Sequence, residues 1–275
     1  MRSVLYVPGN RPELFDKAVS GPADVVLLDL EDAVPVRDKD GARAEVAAWL
    51  RAAAPSARRV WVRVNPGEQG IEDIRAVAPA GVESICLAKA ESAQQIRAVG
   101  ELLAAVEPAT RPIRLCPLLE SAAAVCAARE IAAAPRVLHL MVGEADLCAE
   151  LGITPGRDGY EMVALRTGIV LASAAAGIAP PPAPTSTDFR DLDGLRASTE
   201  ALRRLGFRGR TCIHPAQVPV VNEVFTPGPA ELDAARGLVR RFEAAAGGIV
   251  LDDAGRMVDR AVVRRARAQL DNAPE

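Results

Sequence analysis

Short apolar runs, separated by longer stretches rich in Ala, Glu and Arg, recur along the whole chain of 275 residues. Runs of a few residues that are apolar almost throughout are typical of strands buried on both faces of a sheet. The pattern predicts eight such strands, at residues 3–7, 24–30, 59–64, 84–88, 113–119, 137–142, 183–187 and 211–213.

The stretches between these runs have the composition of helices. The clearest helical stretches lie at residues 41–54, 92–106, 121–134, 162–176 and 195–205. Strands that alternate with helices predict a parallel sheet, and eight strands at this chain length favour an α/β fold of the (β/α)8 TIM-barrel type over residues 1–226. An open doubly wound sheet is the alternative, but no GxGxxG follows the first strand, which removes the main support for a dinucleotide fold.

The pattern changes after residue 226. A helix at 231–246 leads to an apolar run at 249–251, a turn at 252–255, a second short run and a basic helix at 261–270. A hairpin and helix after a completed barrel predict a C-terminal cap or lid over residues 227–275, which we expect to pack on a neighbouring subunit. Within the barrel, the proline-rich segment 178–187 fits a strand least well, because proline cannot donate to a central ladder.

Charged side chains follow the ends of most predicted strands. Because the carboxyl ends of barrel strands meet on one face, we expect these side chains to lie close together. Buried charges are costly unless they are paired or bind a cation, so the convergence predicts a site. The side chains at the strand ends are Asp29, Glu31, Asp32, Arg63, Asn65, Lys89, Glu91, Glu120, Glu144, Asp146, Asp188 and His214.

Glu120 and Asp146 follow neighbouring strands, and two carboxylates suit Mg²⁺, which completes its coordination with water and substrate oxygens. No cluster of histidines and cysteines has the spacing of a zinc site. Arg63 can hold a substrate carboxylate or a developing oxyanion, or it can pair with Glu120 or with a carboxylate of the second strand; the sequence leaves both open. His139 is interpreted as an interior residue.

Charge and hydropathy limit the function classes. The formal net charge of -3 argues against a generic nucleic-acid surface. No apolar run has the ~18 to 20 residues of a membrane span. The N-terminus leads directly into a strand without the apolar region of a signal peptide, so we expect a cytoplasmic protein.

Several motifs, taken in order, resemble those of one family. They are RSVLYVPGN at 2–10, LDLEDAVP at 28–35, VRVNP at 62–66, PLLESA at 117–122, GEADL at 143–147 and GFRGRTCIHPAQV at 206–218. Together they resemble the citrate lyase beta subunit-like proteins of the HpcH/HpaI aldolase superfamily, whose relatives include malyl-CoA and citramalyl-CoA lyases. The likeness runs nearly end to end.

The resemblance implies a Mg²⁺-dependent barrel that cleaves or forms a carbon–carbon bond beside a CoA thioester. It implies metal ligands at Glu120 and Asp146 and an active-site arginine at Arg63. Asp259 matches an acid that some CoA lyases deliver to a neighbouring subunit. The expected oligomer is a homotrimer or a multiple of one, and the expected partner is a 2-oxo acid: glyoxylate, pyruvate or oxaloacetate.

Two further groups of residues complete the expected site. Glu31 and Asp32 are catalytic candidates beside Arg63, as members of the acidic strand end. The resemblance places CoA near five residues of the N-terminal region, namely Asn10, Arg11, Lys17, Lys39 and Arg43.

The chain departs from the family pattern at the seventh predicted strand, which lacks the usual aspartate-glycine pair and leaves the acyl group open. Thioester hydrolysis is equally compatible with these motifs. The alternatives are a free-acid class II aldolase of the same superfamily and a citryl-ACP lyase subunit or scaffold in a multiprotein complex.

Overall fold

The computed structural model describes residues 1–53, 59–109, 112–245, 250–252 and 255–271. Its centre is a parallel sheet of seven strands in the order β6-β5-β4-β3-β2-β1-β7. The strands are β1 (Ser3–Pro8), β2 (Val25–Asp29), β3 (Val60–Val64), β4 (Ser84–Leu87), β5 (Arg114–Leu119), β6 (Met141–Val142) and β7 (Arg210–Cys212).

Helices cover the sheet between the strands. Their bounds are α1 (Phe15–Val19), α2 (Lys39–Ala53), α3 (Gly67–Val77), α4 (Ala93–Val106), α5 (Ala122–Cys126), α6 (Ala128–Ala132), α7 (Glu144–Leu151), α8 (Val163–Ala176), α9 (Leu192–Leu205) and α10 (Gln217–Phe225). Short 3-10 turns lie at Pro12–Leu14, Val36–Asp38, Ala78–Ala80 and Tyr160–Met162. All five residues of β2 and all five of β3 are buried, as expected for strands covered on both faces.

The prediction of eight regular strands is wrong at residues 183–187. This segment makes one isolated bridge, from Ala183 to Arg210, instead of a ladder. The prolines at 180, 181, 182 and 184 have no N–H to donate, which prevents a regular strand.

The same segment shows that the sheet is curled. The Ala179 N–H donates to the Leu138 carbonyl at 3.1 Å, and the Ala183 N–H donates to the Gly209 carbonyl at 2.7 Å. Leu138 precedes β6 and Gly209 precedes β7, so five residues reach both edge strands. Five extended residues span at most about 17 Å, so the two edges approach one another. The fold is α/β with a curled parallel sheet, consistent with a TIM-like barrel.

The predicted helix at 121–134 is divided into α5 and α6, and the predicted strand at 137–142 is regular only at Met141–Val142. Asp146 lies in the first turn of α7, a helix absent from the sequence prediction.

The chain folds into two compact units, Met1–Asn222 and Glu223–Glu275. The second unit contains α11 (Pro229–Ala244), an antiparallel hairpin of β8 (Val250–Leu251) and β9 (Met257–Val258), and α12 (Arg260–Asp271). Phe242, Val258 and Val263 form its buried cluster. Parts of the predicted elements at residues 54, 246, 249 and 253–254 lie outside the described residues. In the described part of the chain, the helices are too short or too polar to cross a membrane.

Candidate metal and substrate site

The Arg63 side chain is held by Asp29. The two residues are direct neighbours in the parallel register of β2 and β3, at the carboxyl ends of both strands. Arg63 Nε donates to Asp29 Oδ1 and Arg63 Nη2 donates to Asp29 Oδ2, both at 2.6 Å. Both side chains are buried, and such a two-bond pair fixes the plane of the guanidinium. Of the two roles left open by the sequence, pairing with a second-strand carboxylate is the one seen here.

Glu31 and Asp32 lie on the other edge of the guanidinium. Arg63 Nη1 is 3.0 Å from Glu31 Oε2 and 3.6 Å from Asp32 Oδ2. Glu31 is buried, whereas Asp32 is exposed. Burial raises the pKa of Glu31, and the charge of Arg63 opposes that rise. The sequence prediction that these three side chains meet is confirmed by these distances; their catalytic roles stay a prediction.

A second network fixes the loop that carries Glu31. The buried Lys39 ammonium donates to the Leu30 carbonyl at 3.0 Å, to the Glu31 carbonyl at 2.9 Å and to Asn65 Oδ1. Asn65 Nδ2 in turn donates to Asp73 Oδ2 at 2.7 Å. An ammonium has three donors, and these three acceptors match them.

Asp73 links this network to Arg43. Arg43 Nε donates to Asp73 Oδ1 at 2.6 Å, and Arg43 Nη1 donates to Asp40 Oδ1 at 2.9 Å. Asp73 is fully buried and was absent from the sequence prediction. Its position among Gly70, Ile74 and Val77, on the buried face of α3, is the signal that would have found it.

Glu120 follows β5 and is 7% exposed. Burial raises the pKa of its carboxyl to about 7; nearby Glu31 adds to the rise, while the Lys89 N–H, which donates to Glu120 Oε2 at 2.9 Å, opposes it. Gly143 borders the same carboxylate: a Cβ at that position would lie 2.5 Å from Glu120 Oε1. The absence of a side chain at 143 therefore makes room for Glu120.

Asp32, Glu120 and Asp146 form the acidic cluster of this edge. One carboxylate oxygen from each lies within 4.8 Å of the others. The Lys89 ammonium is 2.8 Å from Asp146 Oδ2 and 3.7 Å from Glu31 Oε1. The hydrogen bond to Asp146 raises the pKa of Lys89, so the ammonium stays charged at neutral pH.

The donor set of the acidic cluster fits a hard divalent cation. Mg²⁺ takes oxygen ligands, usually one or two carboxylates, and leaves other positions to water and substrate. Glu120 approaches from β5, Asp146 from α7 and Asp32 from the loop after β2, so the oxygens come from three directions. The sequence predicted Glu120 and Asp146 as ligands; the structure places an oxygen of Asp32 beside theirs.

The predicted CoA-contacting residues fall into two groups. Lys39 and Arg43 direct their charged groups at internal acceptors, as described above. Arg11 is exposed and pairs with Glu13, Lys17 is exposed on α1, and Asn10 is partly buried after β1. The CoA contacts of all five stay a prediction.

Asp259 lies in the C-terminal unit, at the start of α12. Its Oδ1 accepts from the Ala261 N–H at 2.9 Å and from the Val262 N–H at 3.0 Å, which are the bonds of a helix N-cap. Its proposed transfer of a proton in a neighbouring subunit's site stays a prediction.

His139 and Ser121 have structural roles. His139 is buried, burial lowers its pKa to about 4, and its Nδ1 lies 2.8 Å from the Pro180 carbonyl oxygen. Ser121 caps α5 by accepting from the Ala124 N–H at 3.1 Å. The interpretation of His139 as an interior residue agrees with this burial.

A buried arginine beside a cluster of carboxylates, at the carboxyl edge of a curled parallel sheet, is the arrangement expected of an α/β enzyme that works with a bound metal ion. The model of the HpcH/HpaI aldolase/citrate lyase family matches residues 2–215, and the chain belongs to that family. The resemblance stated from the sequence is confirmed, and the chain is an enzyme of the lyase type found in this family.

The chain is similar to named relatives over nearly its full length. A (3S)-malyl-CoA thioesterase of Cereibacter sphaeroides is 36% identical, covering 99% of this chain and 94% of the relative. An L-malyl-CoA/beta-methylmalyl-CoA lyase of the same species is 34% identical, covering 96% and 92%. Among solved structures, the CitE protein of Mycobacterium tuberculosis in complex with magnesium, acetoacetate and coenzyme A has a TM-score of 0.80 at 33% identity, covering 100% of this chain and 98% of that one.

Proposed function

We propose that the protein is a Mg²⁺-dependent carbon–carbon lyase that cleaves, or in reverse forms, a 3-hydroxy dicarboxyl-CoA thioester such as malyl-, citramalyl- or citryl-CoA. The observation that carries the proposal is the acidic cluster of Asp32, Glu120 and Asp146, with Arg63 beside it. The likeness to a malyl-CoA lyase and to a structure complexed with magnesium and coenzyme A supports the same reaction class.

Glu120 and Asp146 would hold Mg²⁺, with Asp32 adjacent. A bound Mg²⁺ supplies Lewis-acid polarisation of the substrate's hydroxyl or 2-oxo group. Gly143 leaves space for the Glu120 carboxylate, and the Lys89 N–H fixes one of its oxygens. The protein's own part at the metal is therefore to present oriented carboxylates.

The reaction is a retro-Claisen cleavage. Loss of the 3-hydroxyl proton allows the bond to the thioester α-carbon to break, which releases a 2-oxo acid and a thioester enolate; the α-carbon then takes up a proton. Arg63, oriented by Asp29, stabilises the negative charge that develops during cleavage. Glu31 lies between Arg63 and Lys89 and keeps that arginine in place.

Asp259 is proposed as the acid that exchanges a proton with the enolate carbon, supplied by a neighbouring subunit of a homotrimer. Asn10, Arg11 and Lys17 are the proposed contacts of the CoA phosphates, because their side chains are not committed to the buried networks. If light scattering showed that the fully active protein is a monomer, the proposal of a site shared between subunits would be contradicted.

Thioester hydrolysis is the second candidate, favoured by the 36% identity to a malyl-CoA thioesterase. In that case water captures the thioester carbonyl and the products are a free acid and CoA thiol. A free-acid aldolase would need no CoA at all.

The test is incubation of the purified protein with malyl-CoA, citramalyl-CoA and citryl-CoA, with Mg²⁺ and with excess EDTA. A lyase gives equal amounts of a 2-oxo acid and a new acyl-CoA, whereas a thioesterase gives free CoA thiol. A free-acid aldolase turns over the free hydroxy acids as well as it turns over their CoA esters. We expect 2-oxo acid release that requires Mg²⁺. Full activity in EDTA would contradict the metal-dependent mechanism.

Variants make the test specific to the cluster. Glu120→Ala and Asp146→Ala should each lower kcat by a factor of ~10³ or more. Glu101→Ala, which removes an exposed acid from α4, is the matched control and should retain wild-type activity.

A further inference from the structure

Lys89 occupies an unusual backbone position at the end of β4. Its φ of 49° lies in the left-handed region, which glycine adopts freely and lysine does not. At the same position its N–H donates to Glu120 Oε2 at 2.9 Å. Glycine would make that hydrogen bond with less strain, so the hydrogen bond does not by itself explain the lysine side chain.

The side chain lies among the carboxylates predicted to hold the metal. Its ammonium is 2.8 Å from Asp146 Oδ2 and 3.7 Å from Glu31 Oε1. The same Asp146 belongs to the acidic cluster whose oxygens lie within 4.8 Å of one another. An ammonium and a divalent cation that share one carboxylate repel each other, so the two compete for Asp146.

The Lys89 side chain also has room to leave. It is 42% exposed, in contrast to the Lys39 ammonium, which is enclosed by its three acceptors. A flexible four-carbon stem on an exposed lysine allows the ammonium to turn away from Asp146 without unfolding the strand end.

We propose that Lys89 is the counter-ion of the acidic cluster in the metal-free protein, that Mg²⁺ displaces its ammonium from Asp146, and that the displaced ammonium then binds a carboxylate of the 2-oxo acid. The second step rests on the proposed function. The first step depends only on the acidic cluster, so either step can be contradicted by experiment without contradicting the other.

The metal step is tested by calorimetric titration of Mg²⁺ at low ionic strength, without substrate. Lys89→Met removes the charge and keeps the length of the side chain, and it should bind Mg²⁺ at least about threefold more tightly than wild type, because a competing cation is gone. Lys89→Arg keeps the charge and should stay near wild type. Arg97→Met removes one exposed cation from α4 and controls for long-range charge. Equal or weaker Mg²⁺ binding by Lys89→Met would overturn the displacement.

The substrate step is tested with pyruvate on protein saturated with Mg²⁺. Lys89→Met should bind pyruvate about tenfold more weakly, a scale typical of one lost charge-assisted contact. Unchanged pyruvate affinity in Lys89→Met would overturn the carboxylate contact, whatever reaction the enzyme catalyses. Circular dichroism of each variant establishes that the fold is retained.

Discussion

The two sides of the charged sheet edge differ in how their charges are balanced. On the β2–β3 side, Lys39 has three acceptors, Asp73 bridges Asn65 and Arg43, and Arg63 is bound through two hydrogen bonds to Asp29. These groups are buried or partly buried and hydrogen-bond mainly to one another and to backbone carbonyls, so we call them the closed network.

On the side of β4, β5 and α7, acids outnumber bases. In the part of the chain that the structure describes, Lys89 is the one base among four carboxylates outside the closed network, so these five side chains carry a formal charge of −3 when all are ionised. The carboxylates are Glu31, Asp32, Glu120 and Asp146. The closed network gives a rigid support, and the unbalanced side gives a place for a cation. The rigid support of the site and its affinity for a cation are thus provided by adjacent but different residues.

The largest expected effect tests the closed network. Asp29→Asn leaves the buried Arg63 guanidinium without its two-bond partner, although Glu31 remains nearby. We expect the free energy of unfolding to fall by about 2–4 kcal/mol, because an uncompensated buried charge is costly. Urea unfolding at pH 7 measures it, and Asp193→Asn, an exposed acid in α9, is the control. A loss below about 1 kcal/mol would show that the pair is not structurally important.

On the unbalanced side, we expect that neutralising a carboxylate raises the free energy of unfolding instead of lowering it. The pKa of Glu120 in the folded protein, about 7, lies above its ordinary value of 4.5. Ionisation of Glu120 therefore destabilises the fold. This destabilisation is absent below about pH 4.5 and complete above about pH 7. Glu120→Gln should raise the free energy of unfolding in EDTA on the order of 1–2 kcal/mol at pH 8, but not at pH 4.

Unfolding curves at the two pH values separate this electrostatic gain from a packing effect. A packing effect would be equal at both values. If Glu120→Gln were destabilising at pH 8, the carboxylate would belong to a balanced network, and the contrast between the two sides would not hold.

Sequence patterns predicted the sheet and the meeting of its strand ends, because both depend on local hydrophobicity and on the geometry of parallel strands. Arg63, Glu31 and Glu120 were found this way. The acceptors of Lys39 and the role of Asp73 were not, since a lysine such as Lys39 has the same sequence pattern whether its ammonium binds phosphate or backbone carbonyls. The prediction of a regular strand at 183–187 is wrong, because the prolines of this segment have no N–H to donate to a sheet ladder.

The smallest expected effect concerns Gly143, where the backbone conformation does not require glycine, since its φ is -101°. Only space explains it: a Cβ would lie 2.5 Å from Glu120 Oε1 and 2.7 Å from Glu120 Cγ. Gly143→Ala must therefore move the Glu120 carboxylate, and we expect Mg²⁺ affinity to fall about tenfold, as for other residues that orient metal ligands.

Gly168→Ala is the matched control for Gly143→Ala, because a Cβ on that α8 glycine has no atom within 4 Å. It should leave Mg²⁺ affinity unchanged. Calorimetry measures binding, and thermal unfolding checks that both variants stay folded. If Gly143→Ala bound Mg²⁺ as wild type does, the Glu120 orientation seen here would not be the one that binds metal. The acidic cluster would then have to rearrange on Mg²⁺ binding, which would contradict the rigid support that we assign to the closed network beside it.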